Sequence, residues 1–363
     1  MSLEHIEVDG FKSIRTLKLD LRRLNILIGS NGSGKSNFIS LFKLMNQVVE
    51  GNFQHAVRLA GGANALLHYG RKQTREIRVF LMFSQNGYEC VWVPTAEDNL
   101  IFKTEVGYFH DKSRYSTPYS DSYAVAGQES VLPRLAKEYG RIPKYVLSQL
   151  KSWKVYHFHD TSESAPVKAT GDLNDNLYFR SDAANLASFL FRLQKTNPQS
   201  YESIRDTVRM VAPFFDDFIL RPVPETPTKI KLEWKERGSD YPFLAHHLSD
   251  GTLRFICLAT LLLQPSLPST VLIDEPELGL HPYAITVLAS LMQSAAARTQ
   301  VIATTQSISL LNEFSPEDLV VVNRRDNQST FERVDDRSLA EWLKEYSLGD
   351  LWDKNVLGGR PSR

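Results

Sequence analysis

One eight-residue loop, Gly29-Ser30-Asn31-Gly32-Ser33-Gly34-Lys35-Ser36, constrains this chain more than any other stretch. Before it stands Leu24-Asn25-Ile26-Leu27-Ile28, a nearly continuous apolar run that reads as a strand buried on both faces. After it, Phe38, Ile39, Leu41, Phe42 and Met45 recur at the period of an amphipathic helix. A strand, a glycine-rich turn and a helix in that order fit the spacing G-x-x-x-x-G-K-[ST]. The glycines let the backbone wrap closely enough for its N–H groups to face phosphate oxygens, and the positive end of the helix adds to the attraction. Gly29 to Asn37 are therefore expected to bind a nucleoside triphosphate, with Lys35 on the β- and γ-phosphates and the Ser36 hydroxyl on Mg²⁺.

A second cluster closes another apolar run. Val271-Leu272-Ile273 leads into Asp274-Glu275-Pro276, so two acids are expected at the carboxyl edge of a sheet, where open α/β folds bind ligands. Asp274 is expected to hold Mg²⁺ and Glu275 to polarise the attacking water. A third feature, Leu248-Ser249-Asp250-Gly251-Thr252, opens a helix just upstream. The Ser249 hydroxyl and Gly251 N–H at a helix N-terminus would make a second anion site, although Ser249 also reads as an ordinary helix cap.

This third feature resembles the signature motif of ATP-binding-cassette ATPases. Phe11-Lys12-Ser13-Ile14, the loop Gly29 to Asn37, and Asp274-Glu275-Pro276-Glu277-Leu278-Gly279-Leu280-His281-Pro282 look like the RecF/SMC-like branch of that superfamily. The whole chain resembles bacterial ATPases of the AAA_21 type, including Leu348-Gly349-Asp350-Leu351-Trp352 and Gly358-Gly359-Arg360-Pro361 near its end. The resemblance implies ATP and Mg²⁺ as cofactors. It also implies two copies sandwiching ATP, with Ser249 and Gly251 of one closing on nucleotide held by Lys35 of the other. Gly279 to Pro282 would then cross the seam. Relatives of this type are often encoded beside partner proteins, and several are tied to phage defence, so a protein effector encoded nearby is expected. Most carry a switch histidine after the strand that corresponds to Gln300–Thr304; here Thr304-Thr305-Gln306-Ser307 replaces it. Gln306 can donate to a γ-phosphate oxygen but cannot carry a proton-dependent charge, which predicts slow turnover.

The fold expected is an α/β P-loop NTPase, an ABC-type ATPase head with a large mixed insertion between phosphate loop and signature. Residues 1–50 and 241–363 would make the core, and 51–240 an inserted lobe. In the core, antiparallel strands around residues 6–21 precede the loop. Helices at Leu253–Leu263 and Tyr283–Ala297 alternate with strands at Val271–Asp274, Gln300–Thr305 and Leu319–Asn323. In the lobe the pattern predicts a hairpin over Arg75–Pro94 turning at Gln85-Asn86-Gly87, a mobile loop over Ser113–Gly127, and a strand at Lys154–Phe158. Helices are expected at Asp182–Gln194 and Tyr201–Val211. The strand at residue 158 leads into His159-Asp160, where either side chain could reach the Mg²⁺ shell. His157 and His159 share a face, as a metal pair or, more commonly, as satisfied loop histidines. His246 and His247 read as packing and capping residues.

Composition narrows the function classes. Forty-two basic residues balance forty-two acidic ones, which weakens the case for an obligate nucleic-acid coat, although DNA remains a candidate partner. Lys12, Arg15, Lys18, Arg22 and Arg23, and separately Arg71, Lys72 and Arg75, could touch DNA phosphates or simply be solvated strand edges. The two cysteines, Cys90 and Cys257, exclude a disulfide framework and a tetracysteine zinc site, and fit a reducing compartment. The acidic residues Glu4, Glu7 and Asp9 interrupt any secretory signal, and the most apolar stretch, Phe255–Leu263, is too short to span a bilayer. A cytoplasmic protein with no membrane partner is expected. Two rival readings accompany the effector switch: a RecF-like DNA repair clamp and, less well matched, the nucleotide-binding subunit of a transporter. The absence of long heptads argues against a chromosome-tethering SMC role.

Overall fold

The computed structural model describes residues 2–124, 127–138, 140–334, 339 and 341–358. The chain opens with β1 (His5–Phe11), β2 (Ile14–Asp20) and β3 (Leu24–Ile28), then α1 (Lys35–Glu50), α2 (Phe53–Leu59) and α3 (Ala63–Leu66). Four strands follow, β4 (Ile77–Phe83), β5 (Asn86–Pro94), β6 (Leu100–Phe109) and β7 (Tyr119–Ala124), with helices α4 (Leu132–Glu138) and α5 (Arg141–Lys151) behind them. Next come β8 (Trp153–Tyr156), β9 (Gly171–Asp172), α6 (Leu186–Thr196) and α7 (Pro198–Val211). Five short strands, β10 (Phe215–Ile219), β11 (Pro222–Val223), β12 (Thr226–Ile230), β13 (Glu233–Glu236) and β14 (Phe243–Leu244), lead to α8 (Asp250–Leu263). The chain closes with β15 (Thr270–Asp274), α9 (Pro282–Ala296), β16 (Gln300–Thr305), α10 (Ile308–Leu311), β17 (Leu319–Arg325), β18 (Gln328–Arg333) and α11 (Leu348–Asp353).

Two six-stranded sheets organise these elements. One is antiparallel, in the order β2-β1-β4-β5-β6-β7; the other runs β18-β17-β3-β16-β15-β8, parallel except for β18. In the parallel sheet alternate side chains enter two different cores. Ile26, Ile28, Val271, Ile273, Val301 and Ala303 pack toward α6 to α9, whereas Leu27, Leu272 and Ile302 pack toward α1. Burial on both faces is why these strands read as continuous apolar runs rather than as alternation. Helix α1 lies between the sheets and buries Phe38, Phe42, Met45 and Val48 with Val8, Val79 and Leu81 of the antiparallel sheet.

The P-loop NTPase fold of ABC-head type stands, with the mixed insertion between loop and signature, but four details differ from the sequence reading. Residues 51–240 are not a body apart. Strand β4 pairs with β1, and β8 pairs with β15, so the inserted stretch completes both sheets begun by the chain ends. The hairpin turns at Ser84-Gln85, with Phe83 opposite Asn86 and Ser84 at a φ of 54°. Moving the turn by one residue would flip the side chains of one strand, sending either Val79, Leu81 and Phe83 or Tyr88, Cys90 and Trp92 out of the core, so burial overrides the Asn-Gly preference. Within the stretch expected as a mobile loop, Tyr119–Ala124 forms β7, because an edge strand needs backbone partners on β6 more than apolar alternation. The strand near residue 155 ends at Tyr156, and Gly359 to Pro361 lie outside the described residues. Among the described residues no helix is long and apolar enough to cross a membrane.

Candidate functional site

Three adjacent parallel strands, β3, β16 and β15, end side by side, and each delivers one part of the site. The phosphate loop leaves β3 and enters α1 with Gly32 at a φ of 77° and Gly34 at 118°. At Gly34 a Cβ would also collide with the Ser329 side chain, so no other residue fits there. The Ser329 hydroxyl donates to the Ser33 carbonyl at 2.5 Å and shares a hydrogen bond with the Ser13 hydroxyl at 2.6 Å, and Asn37 Nδ2 donates to Ser13 Oγ at 2.7 Å. Strand β18 and the β1–β2 turn thereby brace the loop from outside.

Lys35 is buried, and its ammonium donates to the carbonyls of Gly29 at 2.6 Å and Ser30 at 3.1 Å. Burial pushes its pKa down, while the carboxylates of Glu275, Asp274 and Glu277 push it back up. The Ser33 hydroxyl is buried without a hydrogen-bond partner among the described residues, and Ser36 and Asn31 are exposed.

At the end of β15, Asp274 accepts a hydrogen bond from the Thr304 hydroxyl on β16. Glu275 is held at a φ of 43°, a conformation that costs a non-glycine residue about 1 kcal/mol or more and tends to mark functional positions. Its N–H donates to the Thr304 carbonyl at 3.0 Å, and its Oε1 accepts from Gln306 Nε2 at 2.5 Å. Glu277 accepts from the Thr305 hydroxyl at 2.6 Å through Oε1, while its Oε2 is buried without a partner among the described residues; burial pushes this carboxyl up.

The signature turn stands at the same end of the sheet but beyond β15. Ser249 caps α8, accepting from the Thr252 N–H at 3.2 Å, so the ordinary capping role is fulfilled. Gly251 packs against the Gly279 carbonyl so closely that a Cβ could not be accommodated. Arg254 ties the arrangement together: its guanidinium donates to the carbonyls of Phe158 at 2.9 Å, His159 at 3.1 Å, and Leu278. The signature and the turn at Gly279 are thus one surface. Strands β16 and β15 separate β3, which leads into the phosphate loop, from β8, whose following residues Arg254 holds.

Of the residues that follow β8, His159 Nε2 bonds the Asp274 carbonyl at 2.9 Å, whereas Asp160 accepts from the Ser162 N–H and hydroxyl and so closes its own turn. His157 stacks edge-on to His159 with ring centres 6.0 Å apart; no group of three or more His, Cys, Asp or Glu able to hold a metal occurs among the described residues. His247 Nδ1 accepts from the Leu244 N–H, a capping role. The sequence reading did not assign Thr304, Glu277, Arg254 or Ser329. An arginine inside the apolar run of α8 was a legible signal; Ser329, 296 residues from Ser33, left none.

Comparison with known proteins agrees with this geometry. The family model described as "AAA domain, putative AbiEii toxin, Type IV TA system" (AAA_21) matches residues 129–312, and that described as "AAA ATPase domain" matches residues 1–84. A structure of an SmcHead bound to the C-winged helix domain of ScpA aligns with 94% of this chain and 100% of its own, at a TM-score of 0.53 and 15% identity. An Smc head with an extended coiled coil, bound to the C-terminal domain of ScpA derived from Pyrococcus furiosus, aligns with 95% and 99% at a TM-score of 0.52 and 14% identity. The tungstate uptake system ATP-binding protein TupC of Campylobacter jejuni is 38% identical over 72 residues, which span 20% of this chain and 19% of TupC. With half its length matched by one model and the fold of an SMC head around its phosphate loop, the chain belongs to the AAA_21 family of P-loop ATPases.

Proposed function

We propose that this chain binds and slowly hydrolyses ATP, and that two copies close head to head on the nucleotide to switch a partner assembly. One observation carries the reading: the ends of β3, β15 and β16 bring Lys35, the acid pair and Gln306 to one place, with Gln306 already bonded to Glu275. The N–H groups of Gly29 to Lys35 cradle the phosphates, and Lys35 neutralises charge on the β- and γ-oxygens. Water attacks the γ-phosphorus, its proton passes to Glu275, and the bond to the bridging oxygen breaks with its electrons left on ADP. Gln306 holds the Glu275 carboxylate and donates toward the γ-phosphate. The Ser36 hydroxyl and the Asp274 carboxylate are hard oxygen donors of the kind Mg²⁺ takes; when bound, the ion would neutralise phosphate charge.

Ser249 and Gly251, across the sheet from their own chain's loop, would serve the nucleotide of a second copy, with Gly279 to Pro282 at the seam. The γ-phosphate is what distinguishes ATP from ADP, so closure and release are set there. The output is an effector protein encoded nearby or a nucleic-acid-linked assembly, in a setting such as phage defence. The two SMC heads above are each bound to a ScpA domain, which supports a protein partner by analogy. The rival reading, a RecF-like clamp on DNA, has less support, since Lys18 on β2 and Arg22 just after it are engaged by Glu7 and Glu317.

Light scattering after size exclusion on Glu275→Gln tests the sandwich. A doubling of mass with ATP, absent with ADP, is expected; a single-chain mass under both conditions would remove the model. DNA binding that collapses with salt would favour the clamp instead.

A further inference from the structure

A second concentration of cations lies where the chain enters β8 and β15, the end of the parallel sheet opposite the phosphate loop. A cavity of about 490 Å³ opens there, lined among others by Lys151, Lys154, Arg192 and Tyr178. No Asp or Glu lines it among the described residues. Some cations elsewhere are matched, as Arg78 is by Glu7 and Glu89, and Lys235 by Asp216. The side chains of Lys151, Lys154 and Arg192 have no ion pair or hydrogen bond among the described residues. In the adjoining hollow, which shares Lys151, Lys154 and Tyr178, Asp175 is taken up by Arg180 at 3.0 Å. Three like charges around one concavity repel one another unless an anion joins them.

The remaining walls indicate what else the anion carries. Tyr178 is 82% exposed, an unusual state for an aromatic ring beside a cavity, and offers a stacking face. Gln264 is buried; its amide nitrogen donates to the Leu261 carbonyl, and its amide oxygen accepts nothing among the described residues. Cations for phosphate, a ring for a planar group and a free amide acceptor are the combination that nucleotides meet in protein sites. The cavity is also within the usual size range of small-ligand pockets.

We propose that this cavity is a second nucleotide site, distinct from the phosphate loop, that takes a phosphate-bearing nucleotide either free or as part of a single-stranded nucleic acid. Phosphate lies against Lys151, Lys154 and Arg192, and the base stacks on Tyr178. This site does not depend on ATP hydrolysis at Lys35.

The test uses the full chain carrying Lys35→Ala, which weakens nucleotide binding at the phosphate loop without filling the proposed site with a competing nucleotide. Anisotropy of a fluorescein-labelled oligothymidylate and equilibrium dialysis of radiolabelled AMP report the two sources. At low salt, Lys154→Glu with Arg192→Glu should weaken binding about tenfold or more, the scale of losing phosphate contacts or a stacked base. Tyr178→Ala, at an exposed position that should leave the melting temperature unchanged, should weaken it similarly. Loss confined to the oligonucleotide identifies nucleic acid as the source, and loss confined to AMP identifies the free nucleotide. If neither compound binds the parent protein, or if Tyr178→Ala and the charge-reversed variant bind as the parent does, the proposal is overturned.

Discussion

The two six-stranded sheets of this molecule use their side chains in opposite ways. The antiparallel sheet buries one face against α1 and leaves the other to ion pairs, such as Arg78 with Glu7 at 2.7 Å and Glu89 at 2.9 Å. The parallel sheet is buried on both faces, so Leu272 and Ile273 are neighbours in sequence but belong to different cores. A side chain in its interior is already spoken for by packing, and chemistry is left to the strand ends. There the backbone turns out of the sheet and polar groups converge, as Lys35, Asp274, Glu275 and Gln306 do. Function and stability therefore separate along the length of the parallel strands, whereas on the antiparallel sheet neither is concentrated.

This contrast can be broken by substitution. The largest effect belongs to the strand end: Glu275→Gln should cut steady-state ATP hydrolysis by about 10²–10⁴-fold, the usual contribution of a positioned base, with the melting temperature nearly unchanged. A parent-like rate would remove Glu275 as the base. Inside the sheet, Leu272→Ala should leave ATP binding to the folded protein intact but cost about 2–5 kcal/mol in denaturant unfolding. A negligible loss would mean that the two-sided burial is not what holds this sheet.

Gln306→His should raise the hydrolysis rate about tenfold, roughly 1.4 kcal/mol of barrier, by restoring an ionisable donor beside Glu275. An unchanged rate would count against the switch role of Gln306. The smallest effect is expected on the antiparallel face. Arg78→Ala should cost about 1 kcal/mol or less, shrinking further in high salt, because the cluster keeps partial contact with water. A loss comparable to that of Leu272→Ala would erase the distinction between the sheets.

The parts of the site legible from sequence are those whose geometry is local. Gly29 to Ser36 lies between one strand and one helix, and Asp274-Glu275 ends one strand, so residue type and spacing suffice to identify them. The amide at position 306 was legible as a substitution within a pattern, but its bond to Glu275 was not, because it joins two neighbouring strands. The histidines at 157 and 159 show the limit in the other direction: sequence spacing put them on one face, while the fold turned His159 onto the Asp274 carbonyl and left Asp160 capping its own turn. Ser329 braces a loop almost the whole chain away, and only sheet order brings β18 there.

The sequence by itself determined a phosphate-binding loop, an acid pair at a strand end, a helix-opening Ser249 and the alternation of strands and helices around them. Each depends on hydrogen-bonding and steric rules that act over a few residues. The tertiary structure decided that residues 51–240 complete both sheets rather than standing apart. It also decided that Arg254 welds the signature turn to Leu278, and that unmatched cations gather below β8. These outcomes depend on which strand edges pair and which apolar faces are buried together, a competition among distant segments that no short window of sequence records.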